Sequence, residues 1–189
     1  MKAPAPLSKG TSLLLGLAAA ASTLTAPPAF AEARLPPIDR DPNRCERAYT
    51  GNTIGQANAV SDKILDLRQC NFTGKNLSGK VLSGALLKEA TLPNSILRET
   101  VLTKAYAVGA DFTGADMTNA VIDRVDFRKA NLKDVIFANA VITGGQFEGA
   151  NLEGALFDGA LIGNEDAKRL CANPTLTKEG RADVGCRIK

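Results

Sequence analysis

Four cysteines, Cys45, Cys70, Cys171 and Cys186, are the residues of this chain best equipped for redox or nucleophilic chemistry. The sequence contains no histidine. That removes the commonest general base and every Ser-His or Cys-His nucleophile pair. Zinc ligation is not expected, because imidazole is absent and no two cysteines stand close together in sequence. Asp111, Asp116, Asp123 and Asp126 crowd one stretch and have the types of a paired-carboxylate site. Solvated surface is the plainer reading, since Asp111 and Asp116 occupy an outward position of a repeat. No GxxxxGK[ST] stretch is present, nor a GxGxxG opening a helix, so phosphate cradling has no motif. The chain is therefore not expected to be an enzyme, or to hold a metal or cofactor.

The elements that would position these residues follow an unusual period. A large apolar residue recurs at every fifth position from Leu67 to Ile162. In 110–140 it is Phe112, Met117, Ile122, Phe127, Leu132 and Phe137, with Ala110, Ala115, Ala120, Val125, Ala130 and Val135 two places before each. Five matches neither the helix period of 3.6 nor the strand period of 2. Two inward letters separated by one outward letter read as a very short strand. The remaining two letters are often turn formers such as Thr-Gly at 73–74, Ser-Gly at 78–79 and Glu-Gly at 153–154. A chain that turns the same way every five residues winds into a coil, and stacked coils make a solenoid. Ala107 alone breaks the large-residue series, and Phe127 is expected to lean into the room it leaves.

The outward letter before each large residue sets the coil length. At 81, 101, 121, 141 and 161 it is Val, Val, Val, Val and Leu; at 71, 91, 111, 131 and 151 it is Asn, Thr, Asp, Asn and Asn. One column is aliphatic, the other polar, and both have a spacing of twenty. Four pentads then make one coil, and the repeat at 65–164 makes five coils with a roughly square cross-section, about 24 Å tall at ~4.8 Å per coil.

The first 31 residues read as a signal peptide. Lys2 and Lys9 precede a mostly apolar run at 11–21, and Ala29-Phe30-Ala31 has the small-x-small form of a cleavage site. The run is too short to span a bilayer, so no stable membrane span is expected after its removal. The remaining chain has 21 basic residues against 20 acidic ones, a balance that favours neither nucleic acid nor its mimicry. Residues 32–64 read as an irregular, weakly helical N-terminal segment. Residues 165–189 read as a helical C-terminal cap, with Asn164 as N-cap and Pro174 ending the first turn.

The stretches ADFTG (110–114), ADMTN (115–119), ANLKD (130–134) and ANLEG (150–154) resemble the pentapeptide repeat family. The resemblance implies an all-β solenoid, a right-handed quadrilateral β-helix with short helical caps. The signal peptide, the N-terminal segment and the tail CANPTLTKEGRADVGC (171–186) together resemble, more narrowly, the thylakoid-lumen members of plants and cyanobacteria. Thylakoid lumen is thus the first expected address and bacterial periplasm the second.

In an exported chain a disulfide between Cys171 and Cys186 is the default. Closing their loop contributes about 3 kcal/mol on the chain-entropy model. Cys45 and Cys70 leave two readings: a bridge pinning the N-terminal segment over the first coil, or a simple buried thiol at Cys70. Two functions remain from different classes. One is a rigid scaffold that binds an unidentified protein through the stripe Val81, Val101, Val121, Val141 and Leu161, with Ile96, Ile136 and Leu156 nearby. The other is a thiol-regulated protein working through Cys171–Cys186. A remote third, DNA mimicry against topoisomerase, is implied by the resemblance alone. The repeat opposes it with ten basic residues against eleven acidic ones.

Overall fold

Residues 35–50 and 64–186 are described by a computed structural model. The signal-peptide expectation at 1–31 lies outside the described residues, as does 51–63 of the N-terminal segment. Within 37–189 the repeat dominates. Each large apolar letter from Leu67 to Phe157 is buried, Ala107 included. Each pentad closes with a tight turn, as in the bond from the Cys70 amide to the Leu67 carbonyl (3.1 Å).

Between coils the backbone pairs in parallel. The Leu67 amide donates to the Leu86 carbonyl (2.8 Å), and the Leu86 amide donates to the Leu65 carbonyl (2.9 Å). The same exchange repeats along the stack, so residues twenty apart become neighbours in four ladders. One ladder runs Asp66, Leu86, Tyr106, Asp126, Gln146; the second Asn71, Thr91, Asp111, Asn131, Asn151. The third is Asn76, Ile96, Asp116, Ile136, Leu156, and the fourth Val81, Val101, Val121, Val141, Leu161. Only the fourth lengthens into named strands: β1 (Val121–Asp123), β2 (Val141–Thr143) and β3 (Leu161–Ile162), in the order β1-β2-β3. Its letters are mostly β-branched and fit an extended, half-buried backbone.

In the other ladders the Asn and Asp letters reach forward to the turn that follows them. Asn71 Oδ1 accepts from the Thr73 amide (2.9 Å), and Asp111 Oδ1 accepts from the Thr113 amide (3.0 Å) and hydroxyl (2.6 Å). Asp116 and Asn151 do the same two residues on. This is the Asx-turn, and it explains why Asn or Asp precedes the large residue. At the fifth letter the backbone takes positive φ, with Gly at some corners and Glu99, Lys104, Asn119 or Arg124 at others.

Core packing is columnar. Phe137 and Phe157 stack with centroids 5.0 Å apart, and Phe127 stacks on Phe147 at 5.6 Å while meeting Phe112 edge-on at 5.6 Å. Aromatic pairs in these geometries add about 0.5–1.5 kcal/mol to their burial.

Both ends of the stack are closed by other structure. A 3-10 turn at Arg44–Glu46 runs into α1 (Arg47–Thr50), where Ala48 is buried and Tyr49 packs edge-on against Phe72. At the far end lie α2 (Asn164–Ala172) and α3 (Lys178–Val184). Asn164 is the first residue of α2, and Gly163 holds the cap position expected for Asn164. No side chain caps α2; Asp166, in its first turn, instead accepts from the Gly144 amide. Thr177 caps α3, accepting from the Gly180 amide (3.3 Å).

Gly180 gives a prediction whose sign separates packing from propensity. It is buried in α3, and a Cβ there would lie 2.9 Å from the Ala155 carbonyl oxygen and 2.8 Å from a Leu176 methyl. Helix propensity alone favours Gly180→Ala by about 1 kcal/mol. Overpacking against a backbone oxygen costs about 1–3 kcal/mol and wins. The urea midpoint of G180A should fall; a rise would show that α3 does not sit this close to the last coil.

A ladder of valines and its end clamps

The candidate interaction stripe is one unbroken ladder. Val81 pairs with Val101, Val101 with Val121, Val121 with Val141, and Val141 with Leu161. Val101, Val121 and Val141 are flanked on both sides by another rung, and all four valines are half-buried. Leu161 has no rung beyond it and is 66% exposed. Ile96, Ile136 and Leu156 share the neighbouring ladder but do not form a continuous strip. Asp116 sits between Ile96 and Ile136, held by Arg98 at 2.6 Å.

The corners bordering the valine ladder differ in charge. Glu99 stands at the corner before Val101, with Asn119 and Asn139 at the corresponding corners above it. Lys104 stands at the corner after Val101, and Arg124 at the corner after Val121, paired with Asp123 at 2.7 Å. Arg124 and a Thr143 hydroxyl (2.9 Å) hold the Asp123 carboxyl below the ordinary carboxylate range.

The acids that crowd the sequence between 111 and 126 are separated in space. Asp111, Asp116 and Asp126 belong to three different ladders, and Asp123 to the fourth side. Each already has a local partner: Thr113 for Asp111, Arg98 for Asp116, Arg124 for Asp123 and Arg128 for Asp126. Burial pushes the Asp116 carboxyl up, yet Thr118 and Arg98 together hold it below the usual range. No carboxylate pair with the geometry of an acid and a base results. Among the described residues, no cluster of three or more metal-ligating side chains occurs. No helix among them is long and apolar enough to cross a membrane.

The cysteines lie at the two ends. Cys45 is bonded to Cys70 with Cα atoms 5.7 Å apart, joining the 3-10 turn to the first coil. Cys171 is bonded to Cys186 at 5.6 Å, joining α2 to the chain just after α3. Around the first bridge lies a charged clamp that sequence reasoning missed. Asp66 and Arg68 are buried side by side, with Arg68 Nε donating to Asp66 Oδ1 at 2.8 Å. The Asp39 amide donates to Asp66 Oδ2 (2.9 Å), and Arg68 Nη2 donates to the Pro37 carbonyl (3.0 Å). Arg44 Nη2 donates to the Arg68 carbonyl at 2.9 Å. Burial raises the Asp66 carboxyl pKa, but Arg68 and the Asp39 amide outweigh it and leave the carboxyl below its ordinary value. Nothing in the repeat letters distinguishes Asp66 from Asp126; only the remote segment 37–47 does.

The last coil has no following coil to receive its backbone donors and acceptors. Side chains of the C-terminal helices and the turn between them take the missing places. Asp166 Oδ2 accepts from the Gly144 amide (2.8 Å), Thr175 Oγ1 from the Leu152 amide (2.7 Å), and Asp183 Oδ2 from the Phe157 amide (3.1 Å). Asn173 Nδ2 donates to the Ala150 carbonyl (2.9 Å), and Arg169 Nη1 to the Gly145 carbonyl (3.1 Å). A terminal sheet edge is thereby satisfied and covered, which blunts the tendency of such edges to recruit further chains.

The sequence profile described as pentapeptide repeats matches in eight copies, at 81–119, 95–134 and 120–159. A curated relative, the thylakoid lumenal 17.4 kDa protein of Arabidopsis thaliana chloroplasts, is 50% identical over 64 residues. That match takes in 34% of this chain and 27% of the relative, so about a quarter of the relative's length is spanned. Among solved structures, a pentapeptide repeat protein of the cyanobacterium Cyanothece 51142 is 30% identical with a TM-score of 0.40. The match covers 54% of this chain and 63% of that one. A pentapeptide repeat protein of the Arabidopsis thaliana thylakoid lumen is 26% identical with a TM-score of 0.37, over 73% of this chain and 97% of that one.

Proposed function

The chain is a pentapeptide repeat protein related over part of its length to a thylakoid lumenal protein, and from that premise we propose that it is a non-enzymatic lumenal scaffold docking another protein on its valine ladder. The four ladders close, on this reading, into a right-handed quadrilateral β-helix of five coils, with 32–64 and 165–189 as its caps. One observation carries the docking role: five aliphatic side chains stand in direct register on one side. The other three ladders are interrupted by carboxylates, amides or a hydroxyl. A stiff, dry strip of this kind suits protein recognition better than chemistry. The near-neutral charge of the repeat speaks against nucleic acid as the partner.

The test uses the oxidised chain from about Glu32 as bait in a lumenal extract. Val121→Asp and Val141→Asp, each made singly, should abolish capture of the bound protein while leaving the unfolding midpoint nearly in place. Capture that survives both changes would remove this ladder as the docking surface.

Thiol control is the second reading, resting on the bridge from α2 to the segment after α3. A midpoint potential for Cys171–Cys186 well below about −300 mV would mark that bridge as structural only.

A further inference from the structure

We propose that the valine ladder seats a second copy of this chain, ladder against ladder, with the two stacks running in the same direction. The inference rests on the docking reading above and names its occupant. A strip that is straight, aliphatic and repeated at every coil is complementary to itself: rungs of one copy can face the rungs of another, as two sheets pack face to face about 10 Å apart. The bordering corners then choose the orientation. A two-fold axis parallel to the stack brings the corner before the ladder opposite the corner after it, at the same coil. Glu99 thus meets Lys104 of the second copy, and Lys104 meets its Glu99, while Arg124 meets Asn119. A two-fold axis across the stack at the third coil would set Arg124 against Arg124 and leave Glu99 opposite Asn139. Opposite charges at both edges favour the first arrangement, whereas the second brings no opposite charges together across the seam and sets two Asp123-paired arginines face to face.

The area limits the strength. Five rungs at ~4.8 Å by three extended residues at ~3.3 Å give a footprint of roughly 240 Å² per copy. Standard stable interfaces bury about 800 Å² per partner. The pairing is therefore reversible and populated only at high protein concentration.

Sedimentation of the oxidised chain from Glu32 should show a concentration-dependent monomer–dimer equilibrium. Orientation is read with Val101→Cys, because all four native cysteines are bonded. A short bismaleimide should join V101C to itself in the parallel pair. In the antiparallel pair it would instead join V101C to V141C. The charge test is Glu99→Lys, which should raise the dimer dissociation constant about tenfold, since two edge pairs are reversed. Adding Lys104→Glu should restore it. Self-joining of V101C and recovery in the double variant support the proposal. A monomer at millimolar concentration, V101C–V141C joining, or no recovery in the double variant overturns it. The docking reading fails separately: a chain that stays monomeric yet loses a captured lumenal protein on V121D keeps its docking ladder and loses only the self-pairing.

Discussion

Replacing Phe137 by Ala should cost about 3–5 kcal/mol, among the largest losses expected from a single core truncation in the repeat. Phe137 is fully buried and stacked on Phe157, and Met117 lies one coil earlier in the same column. The cost of a cavity depends on how far its walls can collapse. Here they cannot close, because the coils on either side are spaced by backbone bonds such as Met117 N to the Ile136 carbonyl (2.8 Å) and Phe137 N to the Leu156 carbonyl (2.8 Å). Leu161→Ala is the control: it removes an apolar side chain of similar kind that is already mostly in water, and should cost well under 1 kcal/mol. Urea midpoints of the two variants should differ severalfold in their displacement. Equal displacements would contradict a rigid column at Phe137.

Asp66→Ala should be nearly as damaging, by about 3–5 kcal/mol, although Asp66 occupies an outward letter of the repeat. Removing one partner of a buried ion pair leaves the other charge uncompensated. Arg68 would then lose its carboxylate partner while still donating to the Pro37 carbonyl. Because the carboxyl is held below its ordinary value in the folded state, its contribution is present above the ordinary carboxylate range. That contribution is lost as pH falls through the depressed value. Acid should therefore release the N-terminal clamp, and D66A should flatten that part of the pH profile. The paired change Asp66→Leu with Arg68→Met should recover much of the loss, as buried ion pairs replaced by apolar groups often do. Hydrogen exchange in 37–50 and in the first coil reads the clamp directly. Protection unchanged by D66A would show that the ion pair does not hold this segment.

The repeat frame was legible before any coordinates because two independent periods agreed. The fivefold recurrence of large residues marked the inward face, and the twentyfold recurrence of aliphatic or polar outward letters marked the coil. Val101 and Val121 are direct neighbours, as that second period requires. What stayed illegible lies where residues meet partners outside the repeat. Asp111 and Asp116 read as solvated surface, yet their oxygens brace the following turns; the Thr two residues on was the available signal. Asp66 looked like any other outward Asp, and its burial depends on Asp39 and Pro37, roughly thirty positions away. Asp166, Asn173, Thr175 and Asp183 gave no sign in sequence that they would finish the last coil, because capping of this kind has no fixed spacing.

The vertical register of the repeat has a consequence for how such a chain tolerates insertions and deletions. Adding or removing twenty residues between two coils changes the height of the tower and nothing else. Each terminal helix still arrives above the side it was built for. Adding five residues keeps every inward letter correct but rotates everything downstream by one side. Asp166, Thr175 and Asp183 would then descend onto the wrong amides, and the aliphatic strip would split across two sides. Length in this protein is therefore quantised more coarsely than its shortest repeat.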